Sequence, residues 1–155
     1  MGHLIQLQGR ADSEVSFLVD TSVWSLALRR DASIEAPEVR TLVEALAGSD
    51  VVVTTGLVLQ ELLQGFAGPR AATAIVERFS ALALVQPDRD DHIAAAELRN
   101  KCRRAGVQLG TVDALIAQLC IRHGLTLLTT DQDFTHAAKH CELKVWSSVA
   151  KARRR

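Results

Sequence analysis

The chain reads as an α/β domain with a parallel central sheet and helices on both faces. Three observations predict this. Short β-prone apolar runs alternate with longer segments of helical periodicity. Pro, Gly or a capping residue marks nearly every junction between them. Strands separated by whole helices pair in parallel, through right-handed crossovers.

Taken in order, Val15 to Val19 is the first strand, a short apolar run. Thr21 or Ser22 offers a cap for a helix through Val23 to Leu28. Pro37 opens a second helix, with Val39, Leu42, Val43 and Leu46 at helical spacing, and Gly48 closes it. Val51 to Thr54 is the second strand, followed by a helix from Leu57 to Gln64 that breaks at Gly65. Pro69 starts a helix carrying Ala72, Ile75, Val76 and Phe79, and Leu82 to Val85 is read as a third strand, ended by Pro87. Asp88 caps a long helix, with Asp90 and Asp91 in its acidic first turn. Its Ile93, Ala96 and Leu98 are expected inside, its Arg99, Lys101, Arg103 and Arg104 mostly outside, and Gly106 ends it. Thr111 caps a helix that runs to Arg122 and stops at Gly124. Leu125 to Thr129, Phe134 to His140 and Leu143 to Trp146 follow as strand, short helix and strand.

A length of 155 residues suits one domain with a real core. Residues 16–149 form that domain; 1–15 are expected to be a poorly ordered extension and 150–155 a basic tail. Lys plus Arg and Asp plus Glu both number 18, so any polyanion partner must be held by a local patch or a metal rather than by a global field. Cys102, Cys120 and Cys141 show no CxxC spacing and read as free thiols of a reducing, cytoplasmic compartment. No apolar stretch is long enough to span a membrane.

Function is written in the acids. Asp20 follows the first strand, Glu61 lies in Val58-Leu59-Gln60-Glu61-Leu62-Leu63, Asp113 in Thr111-Val112-Asp113-Ala114-Leu115-Ile116, and Asp131 follows Leu127-Leu128-Thr129-Thr130. In open parallel sheets, sites form outside the carboxyl ends of the strands, where Asp20 and Asp131 fall. Carboxylates beside apolar runs repel one another and need a cation or shared protons. A hard divalent ion, Mg2+ or Mn2+, is the economical solution, and phosphoryl chemistry the usual reason to hold one so. Each acid also has a plain structural reading: helix cap for Asp20, surface residue for Glu61, helix-dipole partner for Asp113, turn residue for Asp131.

The segments Phe17-Leu18-Val19-Asp20-Thr21-Ser22-Val23-Trp24, Gln60-Glu61-Leu62-Leu63-Gln64-Gly65, Thr111 to Ala117, and Leu127-Leu128-Thr129-Thr130-Asp131-Gln132-Asp133-Phe134 resemble the four motifs of PIN domains. The similarity is greatest to the VapC-type ribonuclease toxins of toxin–antitoxin modules. It implies a three-layer α/β/α PIN-like fold and Mg2+- or Mn2+-dependent endoribonuclease activity on RNA, leaving a 5′-phosphate and a 3′-hydroxyl. It also implies homodimers and a cognate VapB-like antitoxin. By position, Asp20, Glu61, Asp113 and Asp131 would be the catalytic acids, with Asp20, Asp113 and Asp131 on the metal. Thr129 and Asp133 would be accessory residues.

Other features carry readings of their own. Arg99, Arg103 and Arg104, with Lys101, form a basic patch just ahead of Asp113, suited either to RNA phosphates or to a solvated helix end. Trp24 suits base stacking or the core. Asp131-Gln132-Asp133-Phe134-Thr135 also fits the DxDxT motif of dehalogenase-type phosphatases, which places it early in the chain rather than near its end. The non-enzymatic alternative is a PIN-like RNA- or protein-binding module that has lost cleavage; the four intact acids argue against it.

Overall fold

In the computed structural model, residues 14–29 and 36–149 are described. All but the end of the expected N-terminal extension, and the whole basic tail 150–155, lie outside them. The elements are β1 (Ser16–Val19), α1 (Thr21–Leu28), α2 (Pro37–Ala47), β2 (Val51–Thr54), α3 (Gly56–Gly65), α4 (Pro69–Ser80) and β3 (Ala83–Leu84). They continue with α5 (Arg89–Arg104), α6 (Thr111–His123), β4 (Thr126–Leu128), α7 (Gln132–Ala137) and β5 (Lys144–Val145).

The strands form one parallel sheet in the order β3-β2-β1-β4-β5. The chain winds outward from β1 to β3, then crosses back over to β4. By the right-handed crossover rule this reversal puts α1 to α4 on one face and α5 to α7 on the other. Packing agrees: α1 meets α2 and α3, α3 meets α4, and α5 lies along α6. The result is the expected three-layer α/β/α arrangement.

The central strand β1 is buried on both faces, with Leu18 and Val19 fully enclosed. One layer adds Val23, Trp24, Leu42, Val58, Leu62, Ile75 and Phe79 to the core, the other Leu98, Cys102, Ile116, Leu119 and Phe134. Trp24 belongs to this core: it is 1% exposed and its ring lies 4.9 Å from that of Phe79. Base stacking on Trp24 is thereby ruled out. Cys102 and Cys120 are buried free thiols and Cys141 is half-buried. Burial pushes the Cys102 and Cys120 thiols up, which keeps them unreactive.

The inward face of α5 differs from expectation. Ile93 is 54% exposed and Ala96 is exposed, while Asp91, Ala95, Leu98 and Cys102 turn inward. The steps of four, three and four residues make one helical stripe. A polar clamp sets it. Asp88 and Asp91 form a reciprocal capping box, and Asp91, 1% exposed, accepts a hydrogen bond from Arg122 of α6. Arg122 also pairs with Asp88 at 3.1 Å. An apolar count alone missed a carboxylate that is buried because it is paired.

Three helix starts also move. Asp20, rather than Thr21 or Ser22, is the N-cap of α1, through its carbonyl. Gly110 rather than Thr111 caps α6, its carbonyl accepting from Ala114 N at 2.9 Å. Helix α7 begins at Gln132, two residues before Phe134, because the Asp131 side chain caps it. Among the described residues no helix is long and apolar enough to cross a membrane.

Removing the buried partner of Arg122 is expected to weaken the α5–α6 layer. Asp91→Ala should lower the unfolding free energy by about 2 kcal/mol, allowing for the partial exposure of Arg122. Urea denaturation measures this, with Ile93→Ala, on the exposed side of the same helix, expected within about 0.5 kcal/mol of the parent.

Candidate active site

Strand order places the site. The direction of winding across the sheet reverses beside β1, whose parallel neighbours are β2 and β4, so the carboxyl ends of β1 and β4 flank a topological switch point. Asp20 follows β1, and Thr129 to Asp131 follow β4. The backbone continues the pairing one step further, Asp20 N donating to Leu128 O at 2.9 Å.

Asp20 is the hub. It is 7% exposed and its carboxylate is not spent on capping α1. Its Oδ2 accepts from Ser22 Oγ at 2.8 Å and from Thr129 Oγ1 at 2.9 Å. Each hydroxyl in turn accepts a backbone amide: Asp131 N reaches Thr129 Oγ1 at 3.0 Å, and Thr130 N reaches Ser22 Oγ at 3.1 Å. The loop after β4 is thus fastened to Asp20 through two hydroxyls. Both bonds converge on Oδ2; Oδ1 takes none among the described residues. Thr129, an accessory residue by the resemblance, touches the Asp20 carboxylate directly. The sequence offers Ser22 as a cap; the signal for this second role is a hydroxyl two residues after a strand-end Asp.

Asp113 enters from the first turn of α6 and is half-buried. Its carboxyl is pushed up to about 6, first by burial and then by the charges of Asp20, Asp131, Glu61 and Asp133. Acids from four separate segments thus lie within electrostatic reach of Asp113. Glu61, in the middle of α3, is exposed but also raised, by partial burial and then by Asp20. Thr21 opposes that shift from beside Glu61 without making a full hydrogen bond. Asp131 is half-buried, its Oδ1 capping Asp133 N at 2.9 Å. Asp133 is exposed at the rim.

The donors are all oxygen, carboxylate and hydroxyl, which suits a hard divalent cation. Among the described residues no three His, Cys, Asp or Glu side chains are already closed around a point. The acids stand as an open set, close enough to perturb one another, and such an ion keeps several waters in any case. A cavity of about 370 Å3 lies elsewhere, at the amino-terminal edge between Val15, Phe17, Thr126 and Trp146, and none of the acids lines it.

The basic patch divides. Arg103 and Arg104 are exposed near the end of α5, with Lys101. Arg99 is half-buried instead, its Nε donating to Leu109 O at 2.9 Å. It is committed to the protein backbone, contrary to a reading of all three arginines as one free surface.

An α/β/α domain with carboxylates gathered at the switch point of a five-stranded parallel sheet is a defined class of protein. The chain belongs to the PIN domain family, whose sequence pattern matches residues 17–140. Within it, the chain is similar to a VapC ribonuclease of Mycobacterium bovis, with 33% identity over 132 residues, spanning 84% of this chain and 97% of the relative. Ribonuclease VapC11 of Mycobacterium tuberculosis matches equally. Among solved structures, VapBC2 of Rickettsia felis bound to promoter DNA shares the fold with a TM-score of 0.66 at 20% identity, covering 86% of this chain and all (100%) of that one. VapC20 of Mycobacterium tuberculosis, a toxin that cleaves the sarcin–ricin loop, does so with a TM-score of 0.61 at 24% identity, covering 82% and 98%.

The raised Asp113 makes stability depend on pH with a definite sign. Between about pH 4 and pH 6 the folded state keeps a proton that the unfolded chain has lost, so stability falls as pH rises through that window. Above it the cost of the charged carboxylate is fully present. In EDTA, Asp113→Asn should therefore stabilise the protein at pH 7.5 by about 1 kcal/mol, discounted for solvent screening. The gain should vanish at pH 4, as urea melts at the two pH values can show.

Proposed function

We propose that the chain is a Mg2+- or Mn2+-dependent endoribonuclease, the toxin of a type II VapBC-like pair, working as a homodimer under a VapB-like antitoxin. One observation supports this most directly: Asp113 is raised first by burial and then by the charges of Asp20, Asp131, Glu61 and Asp133. A fold that spends stability to bring these carboxylates together has a use for their combined charge. The similarity to VapC ribonucleases supplies the reaction class.

In this reading Asp20, Asp113 and Asp131 hold the cation, and Glu61 completes the set directly or through water. When bound, the ion would neutralise the acids, lower the pKa of a water and stabilise charge on the scissile phosphate. The protein's own part is positional. Ser22 and Thr129 fix the Asp20 carboxylate by its Oδ2, leaving Oδ1 for the site. Asp131 and the loop amides are held by the same hydroxyls. Glu61, exposed and with its carboxyl raised by partial burial and then by Asp20, would orient or deprotonate the attacking water. Arg103, Arg104 and Lys101 would meet RNA phosphates. The antitoxin would cover the acidic edge, where a guanidinium can take the place of the cation's charge.

Purified protein incubated with total cellular RNA should give discrete fragments bearing 5′-phosphates in Mg2+ or Mn2+ and none in EDTA. Asp20→Ala and Asp113→Ala should lose at least about a hundredfold in rate while remaining folded. Cleavage undiminished in both variants would refute the site, and inert, folded, antitoxin-free parent protein would favour a binding module.

Thr129 offers a finer check. Thr129→Val should weaken cleavage about tenfold or more, whereas Thr129→Ser, which keeps the hydroxyl, should stay near the parent. Equal rates for Val and Ser would remove Thr129 from the site.

A further inference from the structure

Asp113 is delivered by α6, and α6 is held to α5 at both ends. At its far end Arg122 pairs with Asp91 and Asp88. At its near end Arg99 Nε donates to Leu109 O at 2.9 Å. Leu109 is buried, and Gly110, which follows it, accepts the first backbone bond of α6 from Ala114 N. The connection from α5 turns at Gly106, with φ of 82°, and Val107 N still bonds Cys102 O. Beyond that point, the Arg99 bond is the one hydrogen bond tying residues 108–109 to α5 among the described residues. It lies four residues ahead of Asp113.

That location matters because the first turn of α6 is under load. Asp20, Asp131, Glu61 and Asp133 all act on Asp113 with like charge. Repulsion of this kind is relieved by backing the helix away unless its entry is anchored. Core packing along α5 resists translation of the helix as a whole; the entry segment has Arg99. The half-buried position of Arg99 also separates it from Arg103 and Arg104, which are exposed.

We infer that Arg99 is a positioning residue for the reaction: it pins the segment entering α6 and so holds Asp113 in the acidic site. The inference rests on the nuclease reading for its catalytic consequence, and the clamp itself does not depend on that reading. The donor is Nε, not the terminal nitrogens. Glutamine carries its Nε2 at the same bond count from Cα, so Arg99→Gln keeps an N–H at the clamping position and discards the charge. Arg99→Lys keeps the charge and moves its nitrogen one bond outward. Arg99→Met keeps neither. A clamp and a phosphate contact therefore rank these variants in different orders.

The test uses the full chain and four readouts: thermal melting, Mn2+ binding by electron paramagnetic resonance, cleavage rates of total cellular RNA against protein concentration at two salt levels, and amide exchange at Ala114. The clamp predicts that Arg99→Gln stays within about threefold of the parent, while Arg99→Met loses about tenfold in both Mn2+ affinity and maximal rate. The half-saturating protein concentration and its salt dependence should not move, and the Ala114 amide should exchange faster in the Met variant. A Gln variant as poor as Met, beside a sound Lys variant and a salt-dependent loss in half-saturation, would overturn the inference in favour of a phosphate contact. Parental behaviour of Arg99→Met would overturn it outright. Should the Met variant not fold, the Gln and Lys variants decide by their order. If the parent neither binds Mn2+ nor cuts RNA, the nuclease reading falls, and exchange at Ala114 alone decides whether Arg99 clamps the helix.

Discussion

Like charges held together against their repulsion are the constraint around which this molecule is arranged. Asp20, Glu61, Asp113 and Asp131 come from four segments spread over more than a hundred residues, and Asp113 registers all the others. Nothing in local sequence favours that meeting. It is imposed by the order of the sheet, which seats β4 next to β1 and so brings the ends of two strands distant in sequence into contact. The buried strands provide the driving force; the acids are carried to the edge at a cost the core offsets.

The supports around the acids divide the task. Beside Asp20, two hydroxyls donate to one carboxylate oxygen and take loop amides in return. Such bonds fix the carboxylate while adding no opposing charge to the site. Behind Asp113 the support is a helix, α5, with ionic contacts at one end of α6 and a guanidinium-to-carbonyl bond at the other. The two arginines that hold α6 thus pair away from Asp113 itself, Arg122 at the far end of the helix and Arg99 on a backbone oxygen. On the proposed function, a protein cation placed among the acids would satisfy the charge permanently and compete with the metal.

Most of this was legible in the chain because both signals involved are local. Pro37, Pro69 and Gly124 stand where helices open or close, and the apolar runs before Asp20 and Asp131 are strands. What could not be read depends on pairing across the fold. The stripe of α5 was misplaced because Asp91 is buried only through Arg122, thirty-one residues away. Ser22 looked like a cap because its partners, Asp20 Oδ2 and the Thr130 amide, are joined only once β1 and β4 are neighbours. Arg99, Arg103 and Arg104 looked equivalent on a helical wheel; the carbonyl of Leu109 separates them. Hydrophobic period finds elements, whereas polar residues acquire their roles from contacts that period does not encode.

The charge balance bears on how such a site would meet RNA. With 18 basic and 18 acidic residues, the chain offers a polyanion no general attraction, and the edge where chemistry would occur gathers Asp20, Glu61, Asp113 and Asp131. An empty site of this kind repels a phosphodiester; a site whose carboxylates are neutralised does not. On the proposed function the cation is therefore a condition of access as well as of reaction, and exposed residues such as Arg103 and Arg104 serve to orient the backbone once repulsion is removed. The same logic limits what an inhibitor must do. A partner that lays a guanidinium across Asp20 and Asp113 would neutralise the acids without supplying a water to attack. It would occupy the site by the very interaction that the substrate depends on, so inhibition and catalysis would compete for one set of carboxylates.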